Sequence, residues 1–126
     1  MKQIIIIGVA LTIIILLNCL QSSYLEKTSR YLLTDINEID NCVKRKDFDA
    51  AYNGVEELEL NWDMVKDRWD IFCDHDDVKE MTERVASVKV YARYQDTEEL
   101  VNEYTLLEEL IKHIIEAERL SFSNVL

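Results

Sequence analysis

The sequence predicts an all-α protein in which an N-terminal transmembrane helix leads into an antiparallel bundle of about four helices, arranged as two helical hairpins. Three observations carry that prediction. The 126 residues contain no proline and only two glycines, Gly8 and Gly54, so the tight turns that β-hairpins need are almost absent. Residues 4–20 form an apolar run without a charge. Downstream of it, apolar residues return at intervals of three and four, the spacing of one helix face.

The apolar run from Ile4 to Leu20 is relieved only by Gly8, Thr12 and Asn18. At about 1.5 Å per residue it covers roughly 25 Å, the lower limit for crossing a hydrocarbon core about 30 Å thick. Lys2 ahead of it resembles the start of a secretory signal, but Leu20, Gln21, Ser22 and Ser23 offer no Ala-x-Ala-like cleavage pair. Leu16-Leu17-Asn18-Cys19 is a poor lipoprotein box, because Asn18 stands where a small residue belongs. The expectation is an uncleaved single-pass anchor in the cell membrane, with residues 1–3 as a short tail, 4–20 as the span and 21–126 as the helical domain. Lys2 and the terminal amine on one side face Lys27 and Arg30 on the other, so the positive-inside rule barely discriminates. The likeness to export signals places the domain outside the cytoplasm.

A segment of this length supports one core and not two. Without the anchor and Lys2 the domain has 13 basic against 25 acidic side chains, a net charge of −12, which repels phosphate backbones and excludes nucleic acid as a partner. Cys19, Cys42 and Cys73 form neither a disulfide framework nor a Cys-x-x-Cys motif.

The helices follow in order. Leu25, Leu32, Ile36, Ile39 and Val43 share one face, and no breaker separates them from the anchor, so the membrane helix is expected to continue outward as the first helix of the bundle. Lys44-Arg45-Lys46-Asp47 makes a polar turn with Asp47 as cap. The second helix has the strongest pattern, Phe48, Ala51, Val55, Leu58, Trp62, Val65, Trp69 and Phe72, a coiled-coil-like seam suited to shallow crossing angles. Cys73-Asp74-His75-Asp76 ends it. Asp77 with Glu80 has capping-box spacing for a third helix, whose inner face is Val78, Met81, Val85, Val88 and Ala92. Asp96 and Glu99 repeat that box ahead of a fourth helix, with Leu100, Tyr104, Leu107, Ile111 and Ile114 inside and an end expected near Glu118. A weak echo at an offset of 49 residues matches Leu32, Ile36, Ile39 and Val43 to Met81, Val85, Val88 and Ala92, and Asp47 to Asp96. That offset is not the period of a tetratricopeptide array.

The tail Leu120-Ser121-Phe122-Ser123-Asn124-Val125-Leu126, the His113-Ile114 pair and the His75-Asp76 step resemble a family of short membrane-anchored helical proteins of Gram-positive, clostridial-type bacteria, catalogued as DUF4363. A charged turn like Lys46-Asp47-Phe48-Asp49-Ala50 also precedes the second helix of its members. The resemblance implies an N-terminal anchor followed by helices and a role in the bacterial envelope or in sporulation. It implies no activity.

Folding the third and fourth helices about a turn near Gln95 sets residue 77 opposite roughly residue 114, given equal rise on both arms. His75 and His113 then share one end with Cys73, Asp74, Asp76, Asp77 and Glu116. Those are ligand types for zinc or another transition metal, so His75, His113, Asp74, Asp76 and Asp77 make up a candidate metal site for a sensor or enzyme. The bland alternative is that they cap helix ends and bond to backbone. No phosphate-cradling glycine loop, Gly-x-Ser-x-Gly elbow or His-Glu-x-x-His pair occurs, so no catalytic residues and no cofactor are expected.

Leu60, Met64 and Ile71 lie on the second helix about 180° from the Trp62 and Trp69 seam. Two explanations fit, a central position in the bundle or a stripe that docks a partner. The leading expectation is therefore a membrane-anchored helical bundle that serves as an interaction or accessory protein for another membrane or envelope protein.

Overall fold

Four α-helices account for almost all of residues 1–125, the residues described by the computed structural model: α1 Lys2–Lys44, α2 Phe48–Phe72, α3 His75–Arg93 and α4 Thr97–Val125. Leu126, the end of the expected domain, lies outside the described residues, as do the side chains of Phe122, Asn124 and Val125 in the tail. Each helix packs closely on two neighbours, α1 on α2 and α4, α3 on α2 and α4, and among the described residues the backbones of the diagonal pairs stay farther apart. This is a ring of four antiparallel helices with short connections.

The apolar run and the first bundle helix are one rod. α1 has 43 residues, about 65 Å at 1.5 Å per residue, because no Pro or Gly interrupts residues 9–44. Its apolar beginning projects from the bundle, and an 18-residue window of it is wholly unburied and long and apolar enough to cross a membrane. From Leu25 onward the same rod contributes Leu25, Leu32, Ile36, Ile39 and Val43 to the core.

Two turns have identical construction. Lys46 adopts a left-handed φ of 59° and Gln95 one of 55°. The Lys46 N–H donates to Val43 O and the Asp47 N–H to Cys42 O, while Gln95 donates to Ala92 O and Asp96 to Tyr91 O. Each pair forms a Schellman stop, built here without the usual glycine. The following aspartate then caps the next helix: Asp47 Oδ1 accepts from the Ala50 N–H at 3.2 Å and Asp96 Oδ1 from the Glu99 N–H at 3.3 Å. Both turns are thus related by the offset of 49 seen in the sequence, and so is the core between them. Leu32, Ile36, Ile39, Val43, Ala51, Val55, Leu58 and Trp62 are buried, as are Met81, Val85, Val88, Ala92, Leu100, Tyr104, Leu107 and Ile111 at the equivalent places.

The structure corrects two helix ends. α3 starts at His75, capped by Asp74, whose side chain accepts from the Asp76 N–H; extended Cys73 already breaks α2, so the first available side-chain oxygen takes the capping role in place of Asp77. α4 runs to Val125 and does not stop near Glu118, because the sequence after Glu118 contains neither Gly nor Pro to end it.

Every ring contact also carries a polar tie. Asn61 Nδ2 donates to Asp35 Oδ2 at 2.7 Å between α2 and α1, and Tyr104 Oη to Asp40 Oδ1 at 2.7 Å between α4 and α1. Lys89 pairs with Glu59 at 2.9 Å between α3 and α2, and Arg84 with Glu103 at 3.0 Å between α3 and α4. In the centre Trp62 and Trp69 meet edge to face, centroids 5.4 Å apart, a favoured aromatic geometry. The indole N–H of Trp62 donates to Thr82 Oγ1 and that of Trp69 to Thr28 Oγ1. Among the described residues, no buried side-chain nitrogen or oxygen lacks a partner, so the core meets the requirement that buried polar groups be satisfied.

Candidate functional site

The α2–α3 corner shares one end of the bundle with the base of α1. Tyr24 packs edge to face on Phe72 at 6.1 Å, the Arg68 guanidinium lies 5.2 Å over the Tyr24 ring, and Arg119 pairs with Glu26 at 2.7 Å. This end therefore faces the projecting apolar part of α1.

The antiparallel register does bring α4 beside the start of α3. The Asp77 carboxyl is raised by burial first and then by Asp74, and is lowered by His113, which places Asp77 and His113 within each other's electrostatic reach. His75 turns elsewhere. Its Nδ1 meets Asp70 Oδ1 at 2.8 Å, and that bond holds its pKa above the ordinary value. Asp74 and Asp76 are joined through the helix cap. Among the described residues, no group of three or more His, Cys, Asp or Glu side chains is placed to hold a metal ion. The constellation of His75, His113, Asp74, Asp76 and Asp77 thus shares an end of the bundle without converging, because exposed His75 is drawn to Asp70 on α2 and away from α4. Nearby Cys73 is half-buried among carboxylates, and burial, then Glu118, Asp77 and Asp70, push its thiol up to about 12, so it stays protonated and a poor nucleophile at neutral pH.

Leu60, Met64 and Ile71 have a different environment. They retain 61%, 73% and 78% of their accessible surface, so a central position for α2 is not the explanation of its second apolar face. Both neighbours of α2 are reached through the Trp seam, and these three side chains point outward in one row. Their equivalents in the second hairpin, 49 residues on, are Glu109, His113 and Leu120. At the first two places the same fold thus accepts a charged or polar residue, so an apolar one is not a requirement of the bundle. Met64 also borders a groove of about 570 Å³ between α1 and α2, walled by Tyr24, Lys27, Tyr31, Leu32, Val65 and Arg68. Sequence reasoning found the row through its angle on the helix. It missed the groove, whose two walls, Tyr24 to Leu32 and Asn61 to Arg68, come from separate helices distant in the chain.

A ring of four helices mounted on an exposed apolar rod, with one outward apolar row and a groove beside it, defines an all-α helical bundle. Residues 19–125 match the family described as Domain of unknown function (DUF4363), and the chain belongs to that family. No curated protein and no solved structure matches it.

Proposed function

We propose that this protein is a single-pass membrane protein whose bundle stands outside the cytoplasm and works by contact, as an accessory subunit to another membrane or envelope protein, without a reaction of its own. The observation that carries this reading is the exposed row of Leu60, Met64 and Ile71, which runs along α2 down to the level of Tyr24, where the apolar rod begins. A row in that direction suits a partner helix that also leaves the membrane and lies beside α2, in the manner of helix-in-groove recognition. Anchoring supports it, because confinement to one surface raises the effective concentration of partner and bundle without any new contact.

A photo-crosslinking residue placed at Met64 or Ile71, and for comparison at Glu109 or His113, tests the reading in native membranes. Adducts with another membrane protein are expected from the first pair. Equal adducts from both faces, or release of the protein by carbonate washing, would overturn it. Intact mass then reports whether Met1 to Leu20 are retained.

A further inference from the structure

The α1–α2 groove carries an unusual distribution of charge. In a chain of net charge −11, Lys44, Lys66, Arg84, Lys89, Lys112 and Arg119 are each paired with a carboxylate, and of the other cations only two, Lys27 and Arg68, line this groove. Lys27 and Arg68, on facing walls of the groove, have no such partner among the described residues. Neither has an acidic residue three or four positions away in its own helix, where Lys27 meets Ser23, Tyr24, Arg30 and Tyr31, and Arg68 meets Met64, Val65, Ile71 and Phe72. The second hairpin has Asp76 and Ala117 at the equivalent places, so the pair is particular to this groove.

Height along α1 gives the pair a meaning. Tyr24 lies four residues past Leu20, about 6 Å along the axis, and Lys27 about 10 Å; the interfacial layer on each side of a bilayer is about 5 to 8 Å deep. Arg68 is level with Tyr24, over whose ring it lies. A tyrosine at that depth fits the interfacial aromatic belt, and the flexible Lys27 stem reaches back toward the surface. Of the neighbouring α2 carboxylates, Asp67 lies about 100° and Asp70 about 160° around the helix from Arg68 at 3.6 residues per turn, and Asp70 is engaged by His75.

We infer that the foot of the α1–α2 groove binds the phosphate headgroup of an anionic phospholipid between Lys27 and Arg68, with Tyr24 beneath. The inference rests on the anchored reading above. The phosphate offers oxygens for both cations, and the guanidinium supplies the planar fork that suits them. A bound headgroup ties α2 to the bilayer and fixes which face of the bundle meets a neighbour.

The test uses the full chain. Carbonate extraction comes first; release of the protein would sink the anchored reading, whereas retention confines the remaining outcomes to the lipid site. The purified protein is then reconstituted in nanodiscs of phosphatidylcholine with or without phosphatidylglycerol, and co-purifying lipid is measured by native mass spectrometry for the parent, Lys27→Gln, Arg68→Gln and the double variant. Phosphatidylglycerol should be retained in preference to phosphatidylcholine, with each single variant weakening retention about fivefold, the increment of about 1 kcal/mol expected per cation at an anionic surface. Circular dichroism confirms that the variants fold. Equal retention of both lipids, or an unaltered preference in the folded double variant, overturns the proposal. Thermal protection by inorganic phosphate equal to that by phosphatidylglycerol would also overturn it, assigning the groove to free phosphate. A protein adduct from a crosslinker at Lys27 with no lipid preference would assign it to a protein partner.

Discussion

The two hairpins of this protein share a turn, a cap and a core, yet they differ on the outside. Around Lys46 and Gln95 the same left-handed stop and the same aspartate cap recur, and eight buried positions on each side match at a constant offset. Outside, the first hairpin presents Leu60, Met64 and Ile71 where the second has Glu109, His113 and Leu120. It has the unpaired cations of the groove where the second has Asp76 and Ala117. What the hairpins share is what folding demands. What they do not share is free to serve another purpose, and it concentrates on the hairpin that contains the apolar rod.

If the shared core is what folding demands, equivalent rungs must be indispensable in both hairpins. Trp62 and Ile111 are equivalent and almost wholly buried. Trp62→Ala is expected to destabilise by about 3 to 5 kcal/mol and Ile111→Ala by about 2 to 5, read from denaturant unfolding of the detergent-solubilised protein. A large loss at one site and a negligible one at the other would break the equivalence.

A smaller effect is expected where the hairpins are joined. Tyr104 donates from the second hairpin to Asp40 in the first. Asp40 is held below the ordinary carboxylate range by Lys44 first and Tyr104 second, whereas burial raises the Tyr104 hydroxyl. Tyr104→Phe removes a hydrogen bond to a charged group, worth about 1.5 to 3 kcal/mol when buried, and about 1 kcal/mol here because Asp40 is partly open to water. The same variant should bring Asp40 back toward its usual value, visible by NMR titration.

The pH dependence separates the ends of the bundle. His75 holds its proton more tightly when folded, so its contribution is full below about 6.5 and is lost as pH rises through the raised folded value. Asp35, Asp77 and Glu118 are raised mainly by burial; they too bind protons more tightly in the folded state, and their cost at neutral pH is relieved as pH falls through their raised values. Asp40 acts in the opposite sense, its contribution being lost only as pH falls through its depressed folded value, below 3.8. The thermal midpoint should therefore rise as pH falls from about 8 to about 5, and Asp70→Asn should reduce the part of that rise near neutrality. A midpoint that falls over this interval contradicts these assignments.

Much of this fold was legible in the sequence because helical periodicity is local. The inner faces of α1, α3 and α4 and the Asp47 and Asp96 caps follow from spacing of three and four and from short polar side chains after a stop. In α2, Phe48, Val65 and Phe72 are only half-buried, since periodicity gives the direction of a side chain and not how much of a neighbour covers it. Partners distant in the chain were not legible. The bond of Trp69 to Thr28 spans 41 residues and the pair of Arg119 with Glu26 spans 93, and no local pattern marks them. Equal rise set residue 77 opposite roughly residue 114, but the bond of His75 to Asp70 on α2 depends on a rotamer that spacing does not encode.

The smallest expected change in stability bears on the central claim, that the outward apolar row serves contact and not folding. Giving the first hairpin the surface of the second, by Leu60→Glu with Met64→His, should leave the unfolding free energy within about 0.5 kcal/mol of the parent, as surface substitutions usually do. The same double variant should abolish the adducts formed from a crosslinker at Ile71. A loss of stability comparable with that of a buried leucine, about 2 to 5 kcal/mol, or adducts that survive the exchange, would contradict the account.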